Sequence, residues 1–293
     1  MKFFSALIVC CASFNFVYGQ NSLIQDTKGE TSLIINQNSN RLLSINVADA
    51  SIGLSVLDKN SGKKSFWGGL AKFKTSENVA TLLTGNVFNP SVDLSAYLGR
   101  YIKSDRGKVR IWYVAPSIKL DAFKVLESNS LNNKYFFGGS VKGGFNKIGK
   151  AFKGTAIIGY SGSIGYLNNT SDLKTVDVYT RVEIDSTVIL KNKKSGFVDN
   201  YQKFFGARLN IDYAVFPFKN YGYISIAVYG RGQLWGYQPT QKAGIGIFVG
   251  QQGAPTKIVA GIAYQVNDIF NAVSDEPTFL KRTGVNLVAG FNF

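Results

Sequence analysis

The stretch Phe205-Gly206-Ala207-Arg208-Leu209-Asn210-Ile211-Asp212-Tyr213-Ala214-Val215 alternates two kinds of side chain for eleven residues. Phe205, Ala207, Leu209, Ile211, Tyr213 and Val215 form one set, and Gly206, Arg208, Asn210, Asp212 and Ala214 the other. Successive side chains of a strand point to opposite faces, so this is a strand with one apolar and one polar face. Its length also informs. A tilted strand that crosses a bilayer needs ~9–11 residues, whereas the usual strand of a water-soluble domain has ~5–6.

The pattern recurs along the chain. Ile224, Ile226 and Val228 alternate with Ser225, Ala227 and Tyr229. Ala243 to Val249, Ile258 to Val266 and Val285 to Phe293 repeat it, as do segments near 92–98, 112–122, 135–145, 156–166 and 176–184. Weaker candidates lie at 45–57 and 66–76, and residues 77–90 are ambiguous. The expected fold is all-β: an antiparallel transmembrane β-barrel of about 12 strands, range 10–14. A soluble sandwich also alternates. The barrel is favoured by segment length, by a second face rich in Gly, Ser, Asn and Tyr, and by aromatics at segment ends (Tyr135 to Phe137, Phe204 and Phe205, Tyr221 and Tyr223, Tyr166). Such rings suit the two interfaces of a bilayer.

The final nine residues, Val285-Asn286-Leu287-Val288-Ala289-Gly290-Phe291-Asn292-Phe293, resemble the last strand of Gram-negative outer-membrane β-barrel proteins, which typically stop on an aromatic residue. The Pro-poor, Asn- and Lys-rich style is similar to barrels of Bacteroidetes-type bacteria. The resemblance implies a bacterial outer-membrane location, and recognition of the strand ending at Phe293 by the barrel-assembly machinery.

Residues 1–19 read as a cleaved signal peptide: Lys2, a mainly apolar run to Phe16, then Val17-Tyr18-Gly19 before Gln20. Cleavage removes both cysteines, Cys10 and Cys11, so the mature chain has no thiol or disulfide. Residues 20–41 are assigned to a periplasmic N-terminal segment, with an inserted plug or an extra strand as alternatives, and 42–293 to the barrel.

The chain of 293 residues contains no histidine. A His-based triad, a His-ligated metal and a His proton shuttle are thereby excluded. No catalytic residue, metal or other cofactor is expected, and the chain reads as a non-enzyme. Loss of Lys2 with the peptide leaves 32 basic and 18 acidic residues, a net +14.

With both termini at the inner end, the connections 58–65, 102–110, 147–153, 186–203, 234–242 and 268–283 are placed outward, with a net charge of +11. They supply a candidate basic outer rim: Lys63, Lys64, Arg106, Lys108, Lys150, Lys191, Lys193 and Lys194. Such a rim is an ordinary solvated surface, a contact for lipopolysaccharide phosphates, or a field that gathers small anionic solutes. Nucleic acid is not an expected partner.

The polar faces supply candidate lumen residues: Lys119, Asp121, Lys142, Arg181, Glu183, Arg208, Asp212 and Arg231. The segments near 181 and 208 would be antiparallel neighbours, pairing Arg181 with Asp212 and Glu183 with Arg208. Such charges either fill a narrow lumen or line a channel. The leading expectation is a passive pore or solute channel with anion preference. The alternative is a closed structural or interaction barrel whose basic outer loops bind lipopolysaccharide or a partner.

Overall fold

The computed structural model describes residues 31–33, 41–46, 51–58, 64–74, 91–103, 108–127, 130–151, 154–170, 173–185, 188–198, 200–217, 224–237, 239–251, 254–272 and 278–292. These hold fourteen strands: β1 (Arg41–Asn46), β2 (Ser51–Asp58), β3 (Ser65–Lys74), β4 (Ser91–Lys103), β5 (Val109–Glu127), β6 (Ser130–Ala151), β7 (Gly154–Asn168), β8 (Lys174–Asp185), β9 (Val188–Val198), β10 (Lys203–Phe216), β11 (Ile224–Trp235), β12 (Gln241–Gln251), β13 (Ala254–Val266) and β14 (Thr283–Asn292). The signal peptide at 1–19, the ambiguous 77–90 and Phe293 lie outside the described residues.

Twelve strands close into a ring. Consecutive antiparallel neighbours run from β1 to β7, then β10 to β14, and β14 pairs back onto β1 through Leu43↔Phe291 and Ile45↔Ala289. Closure leaves the ring without a sheet edge. The alternation sets the faces: Leu209, Ile211, Ile226, Ile245, Ile247, Ile262, Leu287, Leu98, Val114 and Ile118 are all exposed on the outside, while Asn210 and Asp212 are buried inside. A monomer in water rarely exposes an apolar patch beyond a few hundred Å². An apolar belt around a closed ring is instead the surface that hydrocarbon solvates, and every ladder bond stays inside the ring.

The expected number of twelve is met by a different set of strands. The candidate at 176–184 became β8, whose pairing is with β9 alone. The candidate at 45–57 is divided by the β1–β2 hairpin, which pairs Asn46 with Ser51. The hairpin β8–β9 is an excursion between β7 and β10. It lies against β5 where β5 outruns its neighbour: Ser91, the first residue of β4, pairs with Asp121, and six residues of β5 continue beyond it. There Val125 pairs with Phe197 of β9 in parallel. Phe123, Val125 and Phe136 pack with Phe197 and Tyr201, covering an edge that would otherwise be open.

This exchange corrects the orientation of the first half. Asp58 and Ser65, Lys103 and Val109, and Ala151 and Gly154 end their strands on the same side as the start of β1 and the end of β14. The connections near 58–65, 102–110 and 147–153 therefore belong to the terminal end, not the outward one. The β5–β6 tip, the β7–β10 excursion and the connections after β11 and β13 lie at the far end.

The interior is packed by a repeated device. Four inward aromatics face a glycine directly across the ladder: Phe66↔Gly99, Tyr113↔Gly144, Tyr229↔Gly244 and Phe248↔Gly261. A Cβ on any of these glycines would sit 2.1–2.2 Å from the facing ring. The ring lies over the bare backbone, which lets bulky side chains fit in a tightly curved wall.

Candidate functional site

Thr31, Ser32 and Leu33 lie inside the barrel, almost fully buried. Residues 20–41 were expected as a periplasmic segment, with an inserted plug as an alternative; at these three positions the chain lies within the barrel. The physical reason is that the wall satisfies their polar groups. Asp212 of β10 accepts the Ser32 N–H at 2.6 Å and the Ser32 hydroxyl at 2.5 Å. The Ser32 carbonyl accepts from Tyr113 Oη of β5 at 2.8 Å and from Asn146 Nδ2 of β6 at 2.7 Å. Lys142 of β6 donates to the Thr31 carbonyl, and the Leu33 N–H donates to Thr31 Oγ1 at 3.1 Å. A backbone stripped of water needs such partners for each group.

The Leu33 side chain completes an apolar cluster with Ile157, Ala214, Phe216, Ala227, Phe248, Ala263 and Val288. Gly159 of β7 makes the room. A Cβ there would meet Leu33 Cδ2 at 2.6 Å and Ser32 Oγ at 2.7 Å.

Asp212 is held from its other side by Arg231 of β11, at 2.7 Å. Arg231 also donates to the carbonyls of Ile211 (3.0 Å) and Gly230 (2.9 Å), and its guanidinium lies 4.8 Å from the centre of the Tyr229 ring. Tyr229 Oη in turn donates to Gln265 Oε1 at 3.1 Å. Both charges of this pair are buried, so each depends on the other and on these bonds.

A second polar cluster lies toward the far end of the wall. Lys119 and Asp121 pair at 2.6 Å. Asn168 accepts from Lys119 at 3.0 Å and donates to Asp121 at 2.9 Å, and Ser91 donates to Asp121 as well. Next to it, Asn169 fastens the base of the β8–β9 excursion. Its side chain donates to the Asn200 carbonyl at 2.9 Å and accepts from the Gln202 N–H at 2.8 Å. Tyr201, between those two, packs edge-on to Phe123 at 5.0 Å between ring centres. Burial pushes its phenol up to about 12.

The sequence-derived lumen residues thus divide. Lys119, Asp121, Lys142, Asp212 and Arg231 enter the interior networks just described, and Arg208 shares their inward register on β10, opposite Gln233 and Ser163. Arg181 and Glu183 do not belong with them. They sit on β8, outside the ring, opposite Lys191 and Ile189 of β9. The expected pairs Arg181–Asp212 and Glu183–Arg208 are therefore replaced, for Asp212, by Arg231 on the next ring strand.

The basic rim divides as well. Lys64, Lys108 and Lys150 are exposed at the terminal end, whereas Lys191, Lys193 and Lys194 belong to β9 at the far end. Lys63 and Arg106 lie outside the described residues. One continuous outward rim is thus not formed, because the strand exchange turned the early connections to the other side.

Sequence reasoning missed Ser32, Tyr113, Asn146 and Gly159. Tyr113, Asn146 and Gly159 were legible only as members of a polar face. The Thr31–Leu33 tripeptide carries no periodicity at all.

No protein-family model matches the sequence. No curated protein sequence matches it. Among solved structures, the crystal structure of the beta domain of the Bordetella autotransporter Brka is similar over 87% of this chain and 97% of that one, at 10% identity and a TM-score of 0.37. The barrel assignment rests on the strand pairings rather than on that likeness. A closed antiparallel ring with an apolar exterior and a polar interior resembles the outer-membrane β-barrel proteins.

Proposed function

We propose that the chain is an outer-membrane barrel kept shut by its own N-terminal segment, acting through the surface opposite its termini and not as a permanently open channel. The observation that carries this reading is the seating of Ser32 on Asp212, with Leu33 sunk in the apolar cluster beside it. A passive pore needs water along its whole axis, and at this level the axis holds protein.

The far end offers the interaction surface. It carries the β8–β9 excursion, with Lys191, Lys193 and Lys194. It also carries the turn after β13, held by the Arg282 bond to the Asp268 carbonyl at 2.5 Å. That turn exposes Phe270 and Leu280. A phosphate-bearing surface such as lipopolysaccharide, or an acidic partner, suits the lysines; no catalytic step is needed.

Bilayer recording on refolded full-length protein tests the reading. Silence from well-folded barrel supports it, and steady conductance of the unaltered chain overturns it. A regulated pore is the second reading. It is favoured by the polar character of the seat: withdrawal of the segment would uncover Lys142, Arg231 and Asp212, a net positive lining that keeps a preference for anions.

A further inference from the structure

On the outer face at the terminal end, Arg110 of β5 and Lys147 of β6 stand directly opposite each other. Both are exposed. Like charges directly across a ladder repel, and Cβ atoms so placed are only ~4.5–5.5 Å apart. Arg100 of β4 faces the same way one diagonal step along, since it pairs with Trp112 while Arg110 pairs with Ile102. Lys108, just before β5, completes the group at the rim. None of the four forms an ion pair among the described residues.

Directly on the membrane side of Arg110 and Lys147, and level with Arg100, lies an aromatic floor. Trp112 and Phe145 are the next outward pair on β5 and β6, with ring centres 4.5 Å apart and planes tilted by 47°. The arrangement has two parts: cations at the depth of headgroups, and packed, tilted rings at the depth where acyl chains begin. An anion between Arg110 and Lys147 would turn their repulsion into two charge-assisted contacts.

We propose that this arc of β4, β5 and β6 binds the headgroup of an anionic glycerophospholipid from the leaflet on the side of the termini. The proposal rests on the reading that the barrel sits in a membrane. Its chemistry is distinct from the plugged lumen and from the far-end loops. Each basic side chain near the headgroup plane contributes roughly a fivefold preference for an anionic over a neutral lipid.

The test uses full-length protein in nanodiscs of equal phosphatidylglycerol and phosphatidylcholine. Insertion is scored first by the heat-dependent shift on a gel, and lipids retained on the ejected protein are then counted by native mass spectrometry. Retention of phosphatidylglycerol in excess, falling by about fivefold or more in Arg110→Gln/Lys147→Gln, supports the site. The control Lys203→Gln/Lys281→Gln, at the far end, keeps the excess. Equal retention of both lipids overturns the proposal, as does an excess that survives the double substitution. Replacement of the phosphatidylglycerol by added lipopolysaccharide at equal molar ratio also overturns it. A chain that fails to insert overturns the membrane reading itself, and is recognised before any lipid is counted. Raising the salt on the unaltered protein gives a second readout: the excess shrinks if exposed charges create it.

Discussion

Asp212 holds both the main-chain N–H and the hydroxyl of Ser32, a residue 180 positions earlier in the chain. One carboxylate thereby joins the ring wall, the inserted segment and, through Arg231, the next strand. Replacing it with alanine strands Arg231 in a buried site and removes the seat of Ser32. The expected cost is about 3–5 kcal/mol of barrel stability. The loss is read from the urea midpoint of the heat-modifiable band, and a midpoint unchanged from the parent would contradict the assignment.

Release of the segment has its own readout. The mature chain is expected to lack cysteine, so Ser32→Cys introduces a single thiol. In the folded barrel it is buried and should resist a bulky water-soluble maleimide. Adding Gly159→Val fills the space taken by Leu33 and the Ser32 side chain. Labelling then becomes fast, while the barrel still shifts on heating.

Neighbouring glycines of β6 separate packing from conformation. Gly144 lies under the Tyr113 ring, where a Cβ would come within 2.1 Å, while Gly143, on the outer face, has nothing within 4 Å. Gly144→Ala should cost about 1–3 kcal/mol through overpacking. Gly143→Ala should be neutral within ~0.5 kcal/mol. Equal effects at the two positions would remove the case for ring-over-glycine packing.

The outer belt is tested by a single charge. Ile247 lies midway along β12, exposed on the apolar face. Ile247→Arg should cost about 2–4 kcal/mol in a bilayer, as a cation placed near the midplane does. The same variant in zwitterionic detergent micelles should lose far less. A sandwich in water would show no such dependence on the medium.

A pH effect is expected at the tip of the β5–β6 hairpin, beyond the ring. Hydrogen bonds from Lys134 and Asn132 hold the Glu127 carboxyl below its usual range. A lowered value in the folded state means that its contribution is present above the ordinary carboxylate range and fades as pH falls through the lowered value. The protection factor of the Ser130 amide, its exchange rate divided into the intrinsic rate at the same pH, should therefore fall on acidification, and Glu127→Gln should flatten that response.

The alternation around Leu209 and Asp212 announced the barrel because lipid and lumen demand opposite chemistry on the two faces of one strand. The same signal cannot name a strand's neighbour. Val176 and Val178 alternate as well as Leu209 and Ile211 do, yet β8 left the ring and its lumen charges went with it. Asp212 was legible as an inward carboxylate. Its partner was not, since Arg231 comes into reach only once β11 lies beside β10. The plug was silent, because three residues satisfied by a wall that is remote in sequence need no pattern of their own.

The seam between β1 and β14 has a consequence for the order of events. Ser32 lies nine positions before the start of β1, and β14 is the last of the described strands in chain order. Until that seam pairs, the wall is open along its length and the segment has a sideways route to its seat. Once Leu43 meets Phe291 the ring is a closed loop around Thr31–Leu33. From then on, Thr31–Leu33 leave only along the barrel axis. Release therefore needs either a pull from one end or the undoing of a seam.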